Sequence, residues 1–259
     1  MAATKLFRAY DRFYKAPSTP LSLDDVPDTQ EIDNVVLELA REYGTPVAYI
    51  QEQDGRVVQN IFPIKASATE QISSSSDVTL HFHTESAFHP LRPSALLLYC
   101  VRGDPTAKTT YAELDDIFPL LSDESATTLT ERLFFTSVDL SFRTHGEVDQ
   151  DVLLAVFPED TDDWSMIYDS SAMRGVGKDA EAALEDLHDA IATATKTIVL
   201  EAGDALLINN SNTVHGRLPF TPRYDGTDRW LKRCLIRKGV PVQYAHDGII
   251  RTTTFSAPG

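Results

Sequence analysis

The segment His81-Phe82-His83-Thr84-Glu85 sets two imidazoles and a carboxylate within five residues. On an extended strand, positions i and i+2 face the same way, so His83 and Glu85 can present a nitrogen and an oxygen donor to one point. A third donor lies far downstream, in Thr213-Val214-His215-Gly216-Arg217. Two imidazoles and one carboxylate on one face of a metal leave the opposite positions open, the donor set of non-haem Fe(II) oxygenases. Alone the pattern is weak, because a histidine in a strand is more often a core or surface residue than a ligand. His81 shares the face of His83, yet a ligand pair of those two leaves Glu85 unexplained. His89, in His89-Pro90-Leu91-Arg92-Pro93, fits a turn, and Arg92 fits a loop anchor or a lid contact. His188 reads as a solvated helix face, and His145 has no motif around it.

A second stretch, Arg223-Tyr224-Asp225-Gly226-Thr227-Asp228-Arg229-Trp230-Leu231-Lys232-Arg233, places Arg229 and Arg233 four residues apart at the start of an apolar run. On a strand they share a face, and two guanidinium forks there suit two carboxylate ligands, since arginine binds carboxylates bidentately. Ordinary pairing with some of the 39 acidic residues is the competing explanation. No G-x-S-x-G segment or activated cysteine supplies a nucleophile for a hydrolase.

These residues need elements to hold them. Ile32, Val35, Val36, Leu39 and Tyr43 recur with helical spacing and Gly44 supplies a stop. Val47–Ile50 reads as a strand, with Val57–Ile61 its hairpin partner across Asp54-Gly55. Residues 67–77 are serine-rich and read as a loop. Asp77–Glu85 alternates as a strand, and Ala95–Arg102 is a strand apolar on both faces. Tyr111–Phe118 and Ser122–Leu133 read as short helices, Phe134–Phe142 as a strand, and Ala180–Ala194 as an amphipathic helix. Strands follow at Thr197–Glu201, Ala205–Asn209 and Leu231–Lys238. Short strands interrupted by few helices predict a mainly β chain with flanking helices, a double-stranded β-helix or jelly-roll sandwich. Residues 1–259 read as one domain, with residues 1–30 a partly irregular extension.

Composition excludes other classes. With 23 basic against 39 acidic residues, the net charge of −16 argues against a nucleic-acid partner, whose binding depends on Lys and Arg neutralising phosphates. It also disfavours an anionic membrane surface. No apolar run approaches the ~20 residues of a membrane span, and the N-terminus lacks a signal-peptide core. Cys100 and Cys234 sit in apolar stretches and read as buried thiols. A cytoplasmic protein acting on a small molecule is expected.

Two blocks, LHFHTESAFHPLRPSALLLYCVRGD and GDALLINNSNTVHGRLPFTPRYDGTDRWLKR, resemble the clavaminate synthase-like branch of Fe(II)/2-oxoglutarate-dependent oxygenases, and within it hydroxylases of free arginine, asparagine or lysine. The matching blocks span about residues 47–111 and 197–238. The resemblance implies a jelly-roll fold, Fe(II), and 2-oxoglutarate and O2 as cosubstrates. It implies His83, Glu85 and His215 as iron ligands. Arg229 would hold the distal carboxylate of 2-oxoglutarate, and a threonine before the short helix, Thr109 with Thr110 as the alternative, would also touch the cosubstrate. Arg233 matches the position that receives the α-carboxylate of an amino-acid substrate. Asp169 falls where arginine hydroxylases set an acid against the substrate's cationic end, but the second acid expected two residues on is Ser171. That departure leaves lysine, a shorter cation or an amide open beside arginine. A carboxylate at position 85 implies hydroxylation over halogenation. Desaturation, a carrier-bound substrate and an inactive jelly-roll binding module stay open.

Overall fold

Ala95–Arg102 has no polar face, so a strand there must be covered on both sides. The computed structural model, which describes residues 4–8, 16–139, 142, 151–158, 164–239 and 245–251, shows how. In chain order the elements are β1 (Lys5–Arg8), α1 (Gln30–Arg41), β2 (Thr45–Tyr49), β3 (Val58–Ile61), β4 (Leu80–His83), β5 (Ala95–Arg102) and β6 (Thr109–Glu113). Next come α2 (Leu114–Ile117), α3 (Asp123–Thr128), β7 (Phe134–Thr136), β8 (Val152–Leu154), β9 (Met173–Gly175) and α4 (Lys178–Ala194). Strands β10 (Lys196–Ile198), β11 (Asp204–Asn209), β12 (Thr213–Arg217), β13 (Trp230–Arg237), β14 (Ala245–His246) and β15 (Ile249–Ile250) complete the chain.

The largest sheet runs β1-β11-β5-β13-β2-β15-β14, with β3 also on β13, and a second runs β10-β6-β12-β4. A small third sheet, β8-β7-β9, adjoins them. One face of β5 (Leu96, Leu98, Cys100) packs with Leu206, Ile208, Leu231 and Leu235. Its other face (Ala95, Leu97, Tyr99, Val101) packs with Ile32, Val36 and Ala40 of α1. Helix α4 buries Ala183, Leu187 and Ile191 against Ala112 and Val214 of the second sheet. Helices thus cover the outer sides, and the inner sides of the two sheets are left to form a site. The fully buried Lys232 locks α1 to β13, its Nζ donating to Thr29 Oγ1 at 2.6 Å and lying 2.7 Å from Asp33. No helix among the described residues is long and apolar enough to cross a membrane.

Several expected elements change. Val58–Ile61 is a strand but not the hairpin partner of β2; both lie along β13, β2 against Leu235–Arg237 and β3 against Leu231–Cys234. Tyr111–Glu113 is strand rather than helix, because β6 is held between β10 and β12, and helix begins only at Leu114. Helix α3 is shorter than Ser122–Leu133, though Ser122 caps it by accepting from the Ser125 N–H. Strand β7 stops at Thr136, and residues 140 and 141 of the expected strand lie outside the described residues, as does His145. Strand β4 stops at His83, short of Glu85. Cys100 and Cys234 are buried free thiols.

Candidate metal centre

Strand β12 carries His215 between β4 and β6, opposite His83 on one side and Tyr111 on the other. Gly216 lets the strands close up: a Cβ there would lie 2.5 Å from the Leu80 carbonyl oxygen. The two imidazole rings come within 4.4 Å, centroid to centroid. Glu85 lies beyond the end of β4, and its Oε2 is 3.6 Å from His215 Nε2, too long for a hydrogen bond. One donor atom from each of His83, Glu85 and His215 falls within 4.8 Å of the others, the sole such group of three among the described residues.

The donor states suit a cation. His83 Nδ1 is 2.8 Å from the His81 carbonyl; a carbonyl only accepts, so Nδ1 is the donor there and Nε2 is the nitrogen left to face a metal. Burial, with His83 nearby, pushes His215 down to about 4, so its imidazole is neutral at pH 7. Burial pushes the Glu85 carboxyl up, but the Arg233 guanidinium and the two histidines more than offset this and hold it below the usual carboxylate range. Glu85 and His215 are only 5% and 7% exposed, and Glu85 Oε2 and His215 Nδ1 are buried without a hydrogen-bond partner. Buried polar atoms normally find one. Two converging imidazoles and an ionised carboxylate, with Glu85 Oε2 left unpaired, fit a divalent metal such as Fe(II).

The same cavity is lined by Arg229, Thr109, Arg233, Arg217 and Ser73, with Ile61, Leu96, Leu98 and Leu231 as apolar wall. Arg229, 7% exposed, donates from Nη2 to Thr109 Oγ1 at 3.1 Å and has no carboxylate partner among the described residues. Burial lowers it to about 10, so it remains a cation. Thr109 thus lies against Arg229, at the start of strand β6. Arg233 donates to Gln59 (Nε, 2.8 Å), to Glu85 (Nη1, 2.5 Å) and to Glu52 (Nη2, 3.3 Å). Asp169 is set apart. Its backbone bridges to His83, but its side chain lines an adjoining groove with Glu181, Glu185 and His188. Its Oδ1 accepts from the Ser171 N–H and hydroxyl and from the Ala172 N–H.

Four residues in or beside the cavity are given no role by the sequence, although Arg217 lies in the segment that carries His215. Glu52 and Gln59 hold Arg233. Arg217 is buried, donating to the Ser75 carbonyl at 2.6 Å and to its hydroxyl at 2.9 Å. The Asp139 carboxyl is pushed up to about 8 by burial and by the charges of Asp169, Glu52 and Glu85. Among the alternatives, His89 is buried against Tyr49 and Phe142 and accepts at Nδ1 from the Leu91 N–H. Arg92 donates to the His89 carbonyl. Trp230 is core, bonded to Asn60, and Tyr111 lies under Lys196.

Known proteins share this arrangement of chain. The chain is 34% identical over 238 residues to an enduracididine beta-hydroxylase of Streptomyces hygroscopicus, covering 82% of this chain and 69% of that protein. It is 36% identical over 206 residues to an L-asparagine oxygenase of Streptomyces coelicolor, covering 78% of this chain and 60% of that one. A solved asparagine oxygenase with Fe(II), 2S,3S-3-hydroxyasparagine and succinate superposes with a TM-score of 0.84 at 31% identity, covering 92% of this chain and 76% of that one. The non-heme iron oxygenase OrfP, with Fe, succinate and (3S)-hydroxy-L-Arg, also gives 0.84, at 27% identity, covering 96% and 82%. The family model described as taurine catabolism dioxygenase TauD, TfdA family matches residues 21–235. The chain belongs to the TauD/TfdA dioxygenase family.

Proposed function

We propose that this chain hydroxylates an unactivated C–H bond of a free amino acid with a basic or polar side chain, lysine- or arginine-like, using Fe(II), 2-oxoglutarate and O2. The two facing sheets are read as a double-stranded β-helix, and the chain as one oxygenase domain. The observation that carries the reading is Arg229: a buried cation without a carboxylate partner among the described residues, in the same cavity as His83, Glu85 and His215. A desolvated guanidinium without an anion is costly, and a dicarboxylic cosubstrate supplies that anion. The relatives are named as amino-acid hydroxylases or oxygenases, and solved neighbours hold succinate and hydroxylated amino acids, which supports the same class of substrate.

His83, Glu85 and His215 would hold the metal. Fe(II) with 2-oxoglutarate supplies the oxidation, yielding succinate and CO2 as one oxygen atom enters the substrate. Arg229 and Thr109 bind and orient the far carboxylate of 2-oxoglutarate. Ile61, Leu96, Leu98 and Leu231 keep water from the reacting atoms. Arg233 receives the substrate's α-carboxylate. Glu52, paired with Arg233, and Asp139 would face its ammonium, and Asp169, in the adjoining groove, would face a side-chain cation long enough to reach it. A screen of free amino acids with the purified chain tests this. A basic or amide amino acid should gain one oxygen atom with matching succinate formation; succinate without any oxygenated amino acid overturns the substrate class.

A further inference from the structure

Glu85 is the one proposed ligand that no strand holds. His215 lies within β12, and His83 ends β4, bonded in register to β12 and bridged to Asp169. Thr84 still finds a main-chain partner, its N–H donating to the Tyr168 carbonyl at 2.7 Å. At Glu85 the ladder has stopped, and Ser86 turns the chain away with φ of 52°, a left-handed conformation that side chains rarely adopt. The backbone of Glu85 is gripped instead by one side chain. Its N–H donates to Asn210 Oδ1 at 2.6 Å, and its carbonyl accepts from Asn210 Nδ2 at 3.1 Å. The same Nδ2 donates to the Pro93 carbonyl at 2.9 Å, and the Asn210 main-chain N–H donates to the Ser94 carbonyl at 3.1 Å.

We propose that Asn210 is the positioning residue for the Glu85 carboxylate, its amide standing in for a neighbouring strand where the sheet has ended. The role rests on the reading of Glu85 as a metal ligand. Asparagine suits it because one amide offers an acceptor and two donors on a short stem. The orientation is dictated by its partners, two carbonyls facing Nδ2 and one N–H facing Oδ1. Asn210 is 2% exposed, so no water replaces it at low cost. It also sits in the turn from β11 to β12, three residues ahead of the strand that carries His215. One turn thus registers two of the three donors against each other.

Anaerobic Co(II) titration of the full chain tests the role. Residues that orient a metal ligand are worth about 10–100-fold in metal affinity. Asn210→Ala should weaken Co(II) binding by at least about ten-fold, and Asn210→Asp comparably, because a carboxylate oxygen would face the Glu85 and Pro93 carbonyls. Val36→Ala, which destabilises the core beneath α1 without touching the site, should leave affinity unchanged. In a Glu85→Ala background, Asn210→Ala should change the residual affinity by less than about two-fold, the mark of two residues acting as one unit. Asn210→Ser carries the same test if the alanine variant does not fold. Full Co(II) affinity in the Asn210 variants, or an equal loss in the Glu85→Ala background, overturns the positioning role alone. Failure of the unmodified chain to bind Co(II) overturns the metal reading beneath it.

Discussion

Arg233 donates from Nη1 to Glu85 Oε1 at 2.5 Å, so the guanidinium proposed to receive the substrate is bound to the carboxylate proposed to hold the metal. Gln59 and Glu52 take its other nitrogens. On that reading a substrate carboxylate would enter by displacing or sharing one of these partners, and Glu52, the longest of the three contacts, would be the one to yield. Burial pushes the Glu52 carboxyl up and Arg233 opposes it. Losing that arginine contact would favour its protonation or its pairing with an incoming ammonium.

Arg233→Lys keeps the charge and loses the fork. Each charged hydrogen bond lost costs about 1.5–3 kcal/mol, so the amino-acid KM should rise about ten-fold to a hundred-fold while the 2-oxoglutarate KM moves far less. Steady-state kinetics with each substrate varied in turn measures both. A larger effect on 2-oxoglutarate would exchange the roles of Arg233 and Arg229.

Arg229 and Thr109 predict the complementary pattern. Arg229→Ala should abolish measurable 2-oxoglutarate binding and leave Co(II) affinity intact, because Arg229 makes no hydrogen bond or ion pair with the triad. Thr109→Val removes one neutral hydroxyl, worth about 1 kcal/mol, so affinity should fall only about five-fold. Calorimetric titration of the cosubstrate distinguishes the two.

Asp139 links the site to pH. Its folded carboxyl, at about 8, stands above the unfolded value of 3.8, so the unfolded chain releases that proton first as pH rises. Stability of the metal-free chain is thereby lost progressively between about pH 4 and pH 8, then levels. Asp139→Asn removes this dependence, so the variant should gain stability over the unmodified chain across that window. A cationic substrate draws the carboxyl into its charged form, and the same variant should bind that substrate more weakly. Thermal unfolding at several pH values, with and without the amino acid, checks both signs.

Much of this arrangement was legible in residues that carry their environment in their own pattern. Ala95–Arg102 declared two buried faces, and the α4 stripe declared one. His83, Glu85, His215, Arg229 and Arg233 were found through motif and spacing, and all line one cavity. Where a neighbour decides the outcome, local pattern failed. Thr109–Glu113 is strand because β10 and β12 flank it, and Val58–Ile61 leaves β2 for β13. Glu85 meets His83 and His215 from beyond its strand, so the i, i+2 rule brought His83 and Glu85 together for an incomplete reason. Glu52, Gln59, Asp139, Asn210 and Arg217 were given no role, although Asn210 and Arg217 lie inside a matching block, because what they do arises from contacts that local pattern does not show.

The most direct measurement is visible absorption of the anaerobic chain with Fe(II) and 2-oxoglutarate. The unmodified chain should show the weak band of a 2-oxo acid bound to ferrous iron, and His83→Ala and His215→Ala should each lose it. An unchanged band in both variants would contradict the placement of the metal at His83, Glu85 and His215.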